Sequence, residues 1–493
     1  MTSSDQSDGS KSANVVVKET SAVSNQLSPA VEYNKEVRFA VVMYGGVSLA
    51  IYINGIAQEM LRWVRSTAKS AKKDRDEALL PNSPSAGSDL CLSGTERVYR
   101  KLSYILASGD TGKNKSWEKL LAQANTNLAN NETIRTRFVV DILSGTSAGG
   151  INGIFLGKAL ANGQDMTGLE SLWVKEGDVR TLINDKKSIE APLILQDPPA
   201  SLLNSQRMYF ELLKAFDSME QTGMSSPSFV DELDLFVTTT DLAGVTLPIR
   251  LSDGVVFERR HRNVLRFIYS QLDTTAKSDA TAKPDATPKT GAATPEAKPR
   301  NDFEGKFNPF LAFAARCTSA FPAAFEPMCL CDTDGILNGY LPYANKDDCR
   351  SDSTDWQRFY KDYLNPVGVD TVKFPKRPFA DGGYLDNKPF TYATETIARR
   401  QADLLVTRKL IYIEPSPEHP EDEPDIAVKP DAIENVNAAL LTLPRYETIR
   451  EDLQRVREHN RLVDRVQTIL KGIDEDKQTD KLESKGFTNK EGS

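Results

Sequence analysis

The stretch "RFVVDILSGTSAGGINGIFLGKALANG" (Arg137–Gly163) reads as a strand, a sharp turn and a helix in direct succession. Its first part, Arg137–Gly145, is largely apolar, the pattern of a strand covered on both faces. The part after Gly145 is rich in small residues and closes on Gly163, the residue type that ends helices in the left-handed conformation. At the junction, Gly145-Thr146-Ser147-Ala148-Gly149 forms a G-x-S-x-G pattern. A serine on a strand-to-helix turn presents its hydroxyl only if its neighbours are small, and the two glycines and Ala148 meet that demand. The helix N-terminus behind it favours negative charge developing nearby. Ser147 is therefore a candidate nucleophile. The competing reading is a glycine-rich turn that serves packing or phosphate binding.

A similar arrangement stands upstream. "FAVVMYGGVSLAIYINGIAQ" (Phe39–Gln58) contains no charged residue and has about the ~20-residue length that crosses a bilayer. Gly45-Gly46, Asn54 and Gly55 argue instead for a division into a strand (Val37–Tyr44), a glycine turn and a helix. Downstream, "LDLFVTTTDLAG" (Leu233–Gly244) is a third strand candidate. "PFLAFAARCTSAFPAAFEP" (Pro309–Pro327) is a buried, alanine-rich helix stopped by prolines. "RPFADGGYLDNKP" (Arg377–Pro389) runs from a strand into a Gly-Gly turn and a helix start, and "RKLIYIEPSP" (Arg408–Pro417) is a further buried strand. Strands alternating with helices predict an α/β fold with a mostly parallel central sheet flanked by helices.

The rest of the chain frames that unit. Its 493 residues are 39% hydrophobic and 26% charged, with a mean hydropathy of -0.42, the composition of a soluble globular protein. A net charge of -8 argues against a general nucleic-acid binder, although "FERRHR" (Phe257–Arg262) suits phosphate head groups. Residues 1–36 are polar and Ser-rich and read as a disordered leader without a secretory pattern. Residues 66–135 read as an insertion holding a short helix or two, and the Ala/Thr/Pro/Lys/Asp-rich stretch 273–302 as a disordered insertion. The main domain is thus expected over 37–430. The segment 431–493 is expected as a helical extension, with Tyr446, Ile449, Leu453, Val456, Val463, Val466 and Leu470 at helical spacing and a frayed tail after Lys471. Packing on the domain is the reading favoured for that helix, over a partner or membrane contact, because its polar face mixes acids with arginines. Five cysteines, an odd number at scattered spacing, favour a reducing compartment. Zinc on Cys317, Cys329, Cys331 and Cys349 lacks the C-x₂-C pair and a histidine, so buried thiols are the better reading. "DTDG" (Asp332–Gly335) lacks the further ligands of a calcium loop.

A serine hydroxyl needs a base. The chain holds three histidines. His261 lies in a charged stretch, His459 on the polar side of the C-terminal helix, and His419 in the Pro/acid-rich "SPEHPEDEP". A triad in the order Ser, Asp, His would be Ser147, Asp381 and His419. The other candidate base is Asp381 acting directly, with Gly382 and Gly383 letting its backbone approach another element. A turn aspartate that caps its own backbone remains open as well.

Taken together, "GTSAGG", "DGGYLDN", "TSAFPAAFEP", "TTTDLAG" and "MYGGVSLA" resemble the patatin-like phospholipases, most closely the larger microbial patatin-related proteins. The resemblance spans about residues 37 to 415. It implies a three-layer α/β sandwich and a Ser147–Asp381 dyad without a catalytic histidine. It also implies a glycine loop whose Gly45, Gly46 and Val47 amides form the oxyanion hole. One departure stands out: the family loop reads G-G-G-x-[RK]-G, whereas this chain has Tyr44-Gly45-Gly46-Val47-Ser48-Leu49, without the basic residue or the outer glycines. The activity implied is hydrolysis of lipid acyl esters, without metal or organic cofactor. The setting implied is a cytoplasmic protein that meets its lipid at a membrane surface without a spanning segment. An acyltransferase, a thioesterase or a catalytically weak scaffold on the same fold are the alternatives.

Overall fold

The computed structural model describes residues 35–46, 50–68, 92–107, 116–129, 134–166, 169, 179–194, 198–222, 228–271, 299–322, 324–364, 371–400, 404–414, 429–438 and 449–487. Residues 1–34 of the expected leader, the low-complexity insertion except its last residues, and His419 lie outside them, while Lys35 and Glu36, expected in the leader, already belong to a strand.

Strand β1 (Lys35–Met43) leads through Gly45-Gly46 toward helix α1 (Ala50–Thr67). The charge-free opening stretch therefore holds a strand and a helix divided at Gly45-Gly46 and residues 47–49, which lie outside the described residues, and no helix among the described residues is long and apolar enough to cross a membrane. Its polar residues are used internally. Buried Asn54 donates to Asn152 Oδ1 at 3.1 Å, and Asn152 Nδ2 donates to the Ala50 and Ala148 carbonyls. Strand β2 (Thr136–Gly145) is buried at all ten positions and feeds α2 (Ala148–Asn162), which ends at Gly163 with φ 65. Next come α3 (Ser205–Thr222), β3 (Glu232–Arg250), β4 (Val255–Ser270), β5 (Arg300–Asn301) and α4 (Asn308–Thr318). The short β6 (Phe379–Asp381), α5 (Phe390–Arg399), β7 (Leu405–Ile413) and α6 (Arg450–Phe487) complete the main elements.

The strands form one mixed seven-stranded sheet in the order β5-β4-β3-β2-β1-β7, with β6 also on β3. The four strands β3-β2-β1-β7 run parallel, as the alternating pattern predicts. The antiparallel part was not foreseen: β3 and β4 are joined by the short "LSDG" connection, and β5 and β6 add antiparallel pairs. Side chains alternate between two helical layers. Val41 and Met43 enter the larger core under α1, α2, α3 and α4, while Ala40 and Val42 face a smaller one beneath α5. Helix α6 packs there only through its start, where Ile449 joins the smaller core, and a cavity of about 480 Å³ separates its next turns from α5 and β7. It continues to Phe487 instead of fraying after Lys471.

Candidate active site

The parallel strands deliver their C-terminal ends to one place. Ser147 stands between β2 and α2 with φ 52, the one described non-glycine residue at positive φ, and is 6% exposed. Such a conformation is costly for a residue with a Cβ and persists only where its surroundings impose it. Here they do. A Cβ on Gly145 would come within 2.5 Å of the Gly149 carbonyl oxygen, and one on Gly149 would collide with the Met43 carbonyl. The Ser147 amide donates to Thr318 Oγ1 at 2.8 Å, which ties the turn to the end of α4.

Asp381 closes β6 and is 4% exposed. Its amide donates to the Ala320 carbonyl at 3.2 Å, so the end of α4 and the residues just after it touch both the Ser147 turn and the Asp381 strand. Its Oδ1 accepts the Gly383 amide at 2.7 Å, the turn-capping role that its position also allows. The two segments are stitched together by hydroxyls. Thr146 Oγ1 and Thr238 Oγ1 lie 2.6 Å apart, so one donates to the other, and the Asp386 carbonyl stands 2.8 Å from Thr146 Oγ1 and 3.2 Å from Thr238 Oγ1 to accept from the pair. Gly382 is seated against Thr238, where a Cβ would strike both its hydroxyl and its carbonyl.

Asn387, 3% exposed, joins the third segment. A Cβ on Gly45 would collide with Asn387 Oδ1 and stand 3.2 Å from the Ser147 Cβ; one on Gly383 would lie 2.9 Å from the same amide oxygen and 3.1 Å from Asp381 Oδ1. Gly45 and Gly383 thus both back onto the Asn387 side chain, Gly45 beside Ser147 and Gly383 beside Asp381. Gly45 does not offer its amide to that space, because its N–H is turned to the Asn387 carbonyl at 3.4 Å. Gly46 follows it, and Val47 lies outside the described residues.

The other candidates are placed elsewhere or not described. His261 on β4 holds Nδ1 2.8 Å from the Asp241 carbonyl of β3, and His459 borders the cavity under α6. Cys317 and Cys349 are buried thiols; half-buried Cys329 and Cys331 group with Asp332 within 4.8 Å, without them. Burial pushes the Cys329 thiol up to about 12. "DTDG" opens a short helix, Thr333–Gly339, where both Asp334 oxygens accept from Ser351. Thr146, Thr238, Thr318 and Asn387 are the site residues that the sequence did not single out.

Residues 121–394 match the profile of the Patatin-like phospholipase family. This chain belongs to that family. The matched stretch includes Ser147 and Asp381, and β1 with its glycine pair precedes it. The chain is also 27% identical over 449 residues to an uncharacterized membrane protein of Mycobacterium tuberculosis, covering 88% of this chain and 33% of that protein. It spans about a third of the length of this relative. No solved structure matches it.

Proposed function

We propose that this patatin-family protein is a serine lipid acyl hydrolase that cleaves fatty-acyl esters of phospholipids or related lipids. Asp381 takes the proton of the Ser147 hydroxyl as Oγ attacks the ester carbonyl, and the proton passes to the departing alcohol. Water, activated by the same carboxylate, then attacks the acyl-enzyme and releases the fatty acid. The oxyanion rests on amides from Gly46 and Val47 onward, donors that are typically worth about 10²–10³ in rate each. The observation that carries this reading is the positive φ of Ser147 at a turn built from glycines. Residues that impose strain on a serine hydroxyl, at the mouth of a parallel sheet, are arranged for attack. The substrate lies in a bilayer, so we infer a cytoplasmic enzyme that touches membranes peripherally. The description of the mycobacterial relative as a membrane protein accords with such contact.

Ser147→Ala and Asp381→Asn are each expected to lower ester hydrolysis by at least about 10⁴-fold, while His419→Ala leaves it intact. Loss of activity in the histidine variant would replace the dyad by a triad. Labelling by a fluorophosphonate, absent in Ser147→Ala, separates an enzyme from a scaffold. Turnover of phospholipid, lysophospholipid and triacylglycerol side by side defines the substrate.

A further inference from the structure

Strand β3 continues past the sheet. Up to Asp241 it pairs with β2 or β6 as well as β4, but from Val245 to Arg250 its partner is β4 alone. A bulge between Thr240 and Val245, with Gly244 at φ 69, marks the change. Because β3 runs parallel to β2, this ribbon leaves the sheet at the end that carries Ser147. Its six paired residues are about 20 Å long at ~3.4 Å each.

Polarity along the ribbon is graded. Its outer end carries Ile249, Leu251, Val255, Val256 and Phe257, between 40% and 68% exposed. Arg250, paired with Val255, and Asp253 in the connection stand at the tip among them, while Glu258, Arg259, Arg260 and Arg262 lie toward the base. Residues 245–262 therefore carry 4 − 2 = +2 on a chain of net charge -8. Arg262 fixes the base of the ribbon to the site, donating to the Leu385 carbonyl at 2.5 Å and pairing with Asp386 at 3.6 Å. Exposed Leu242 and Leu385, with Ile51 and Tyr52 in the first turn of α1, continue the apolar surface around that end of the sheet.

We propose that the β3–β4 ribbon anchors the protein on an anionic phospholipid surface, its apolar tip among the acyl chains and its arginines among the phosphates. Exposed apolar residues toward the outer end, with arginines at the tip and behind it, suit an anionic bilayer interface, where long basic side chains reach the phosphates and the guanidinium fork fits phosphate oxygens. The anchor serves the hydrolase reading by holding Ser147 at its substrate, and its test is kept separate from turnover.

The measurement is sedimentation of the full chain with vesicles of phosphatidylcholine alone or mixed with phosphatidylglycerol, using the Ser147→Ala form to keep the lipid intact. Binding to the mixed vesicles is expected, weakened by salt. Val256→Asp with Phe257→Asp should weaken it about tenfold or more. Arg250→Gln and Arg259→Gln should each weaken it about fivefold, as expected for one basic residue at an anionic leaflet. In the active background, the tip variant should hydrolyse a soluble short-chain ester at the parent rate, which shows that the fold and site are intact. The proposal is overturned if the parent stays in the supernatant, or if the tip variant binds as well as the parent. A dimer that the tip variant splits, without vesicle binding by either form, assigns the ribbon to self-association and overturns it too. A parent that binds mixed vesicles through Phe257 but cleaves no ester keeps the anchor and removes the hydrolase reading.

Discussion

Arg316 lies wholly inside the protein, two residues before the Thr318 that holds the Ser147 amide. Its Nη2 donates to Ser205 Oγ and to the Glu326 carbonyl, and Phe325 stacks 4.4 Å away, but Nε and Nη1 have no hydrogen-bond partner. Burial pushes this guanidinium down to about 10, opposed by the negative charge of Glu326 and, more weakly, Asp381. The attraction is mutual: a cation within reach favours the ionised Asp381 carboxylate, the form that the proposed dyad requires. Arg316→Met should move the acid limb of the kcat/KM profile to higher pH on a soluble ester, because a carboxylate that loses a neighbouring cation is harder to ionise. Arg316→Lys should leave the limb in place. The sequence offers Ser147 and Asp381 as candidates because each sits in a motif of adjacent residues. It does not offer Thr318, Thr238 and Asn387, since each acts on a segment distant in the chain: Thr318 on Ser147, 171 residues away, and Thr238 on Asp386, 148 residues away.

Among the elements, α2 and α1 use glycine for opposite reasons. Gly149 lets α2 rest on the Met43 carbonyl at the end of β1, whereas nothing lies within 4 Å of a Cβ placed on Gly55 in α1. Gly149→Ala should therefore destabilise the protein by about 1–3 kcal/mol in urea titration and misplace Ser147. Gly55→Ala should stabilise it by about 0.5–1 kcal/mol through helix propensity alone. Most elements were legible because their apolar periods are clear, down to the closure of α2 at Gly163. The extension of β3 was hidden by Gly244, which reads as a strand end but forms a bulge inside a longer strand. The length of α6 was hidden by its charge, which gives no apolar face to count beyond Lys471.

Across the whole molecule, the thinner side of the sheet is held by ions as well as by apolar packing. Asp141, fully buried on β2, pairs with Arg38 of β1 and Arg408 of β7. Arg38 also reaches Glu232, Arg400 joins Glu232 to Asp234, and Arg266 closes the set on Asp234. Strands β7, β1, β2, β3 and β4 are thereby linked through side chains. Asp141→Leu takes the buried carboxylate from the largely buried Arg408, while Arg38 keeps Glu36 and Glu232, and should cost roughly 3 kcal/mol in denaturant titration, without altering the turnover of the folded fraction. The α/β class and the parallel core were legible from alternating strands and helices. The antiparallel half was not, because pairing direction is set by connections and contacts outside each strand's own pattern.

Strand β1 lies between β2 and β7, and each of its nine residues has a partner on both sides. The second of these partners is the last strand to be made. On a ribosome adding about 5–20 residues per second, the 413 − 43 = 370 residues from the end of β1 to the end of β7 take roughly 20–70 s to appear. For that interval the apolar run Val41-Val42-Met43 presents an open strand edge to every other nascent chain. The order of the strands therefore makes shielding of that edge a task for the time of translation, until β7 arrives.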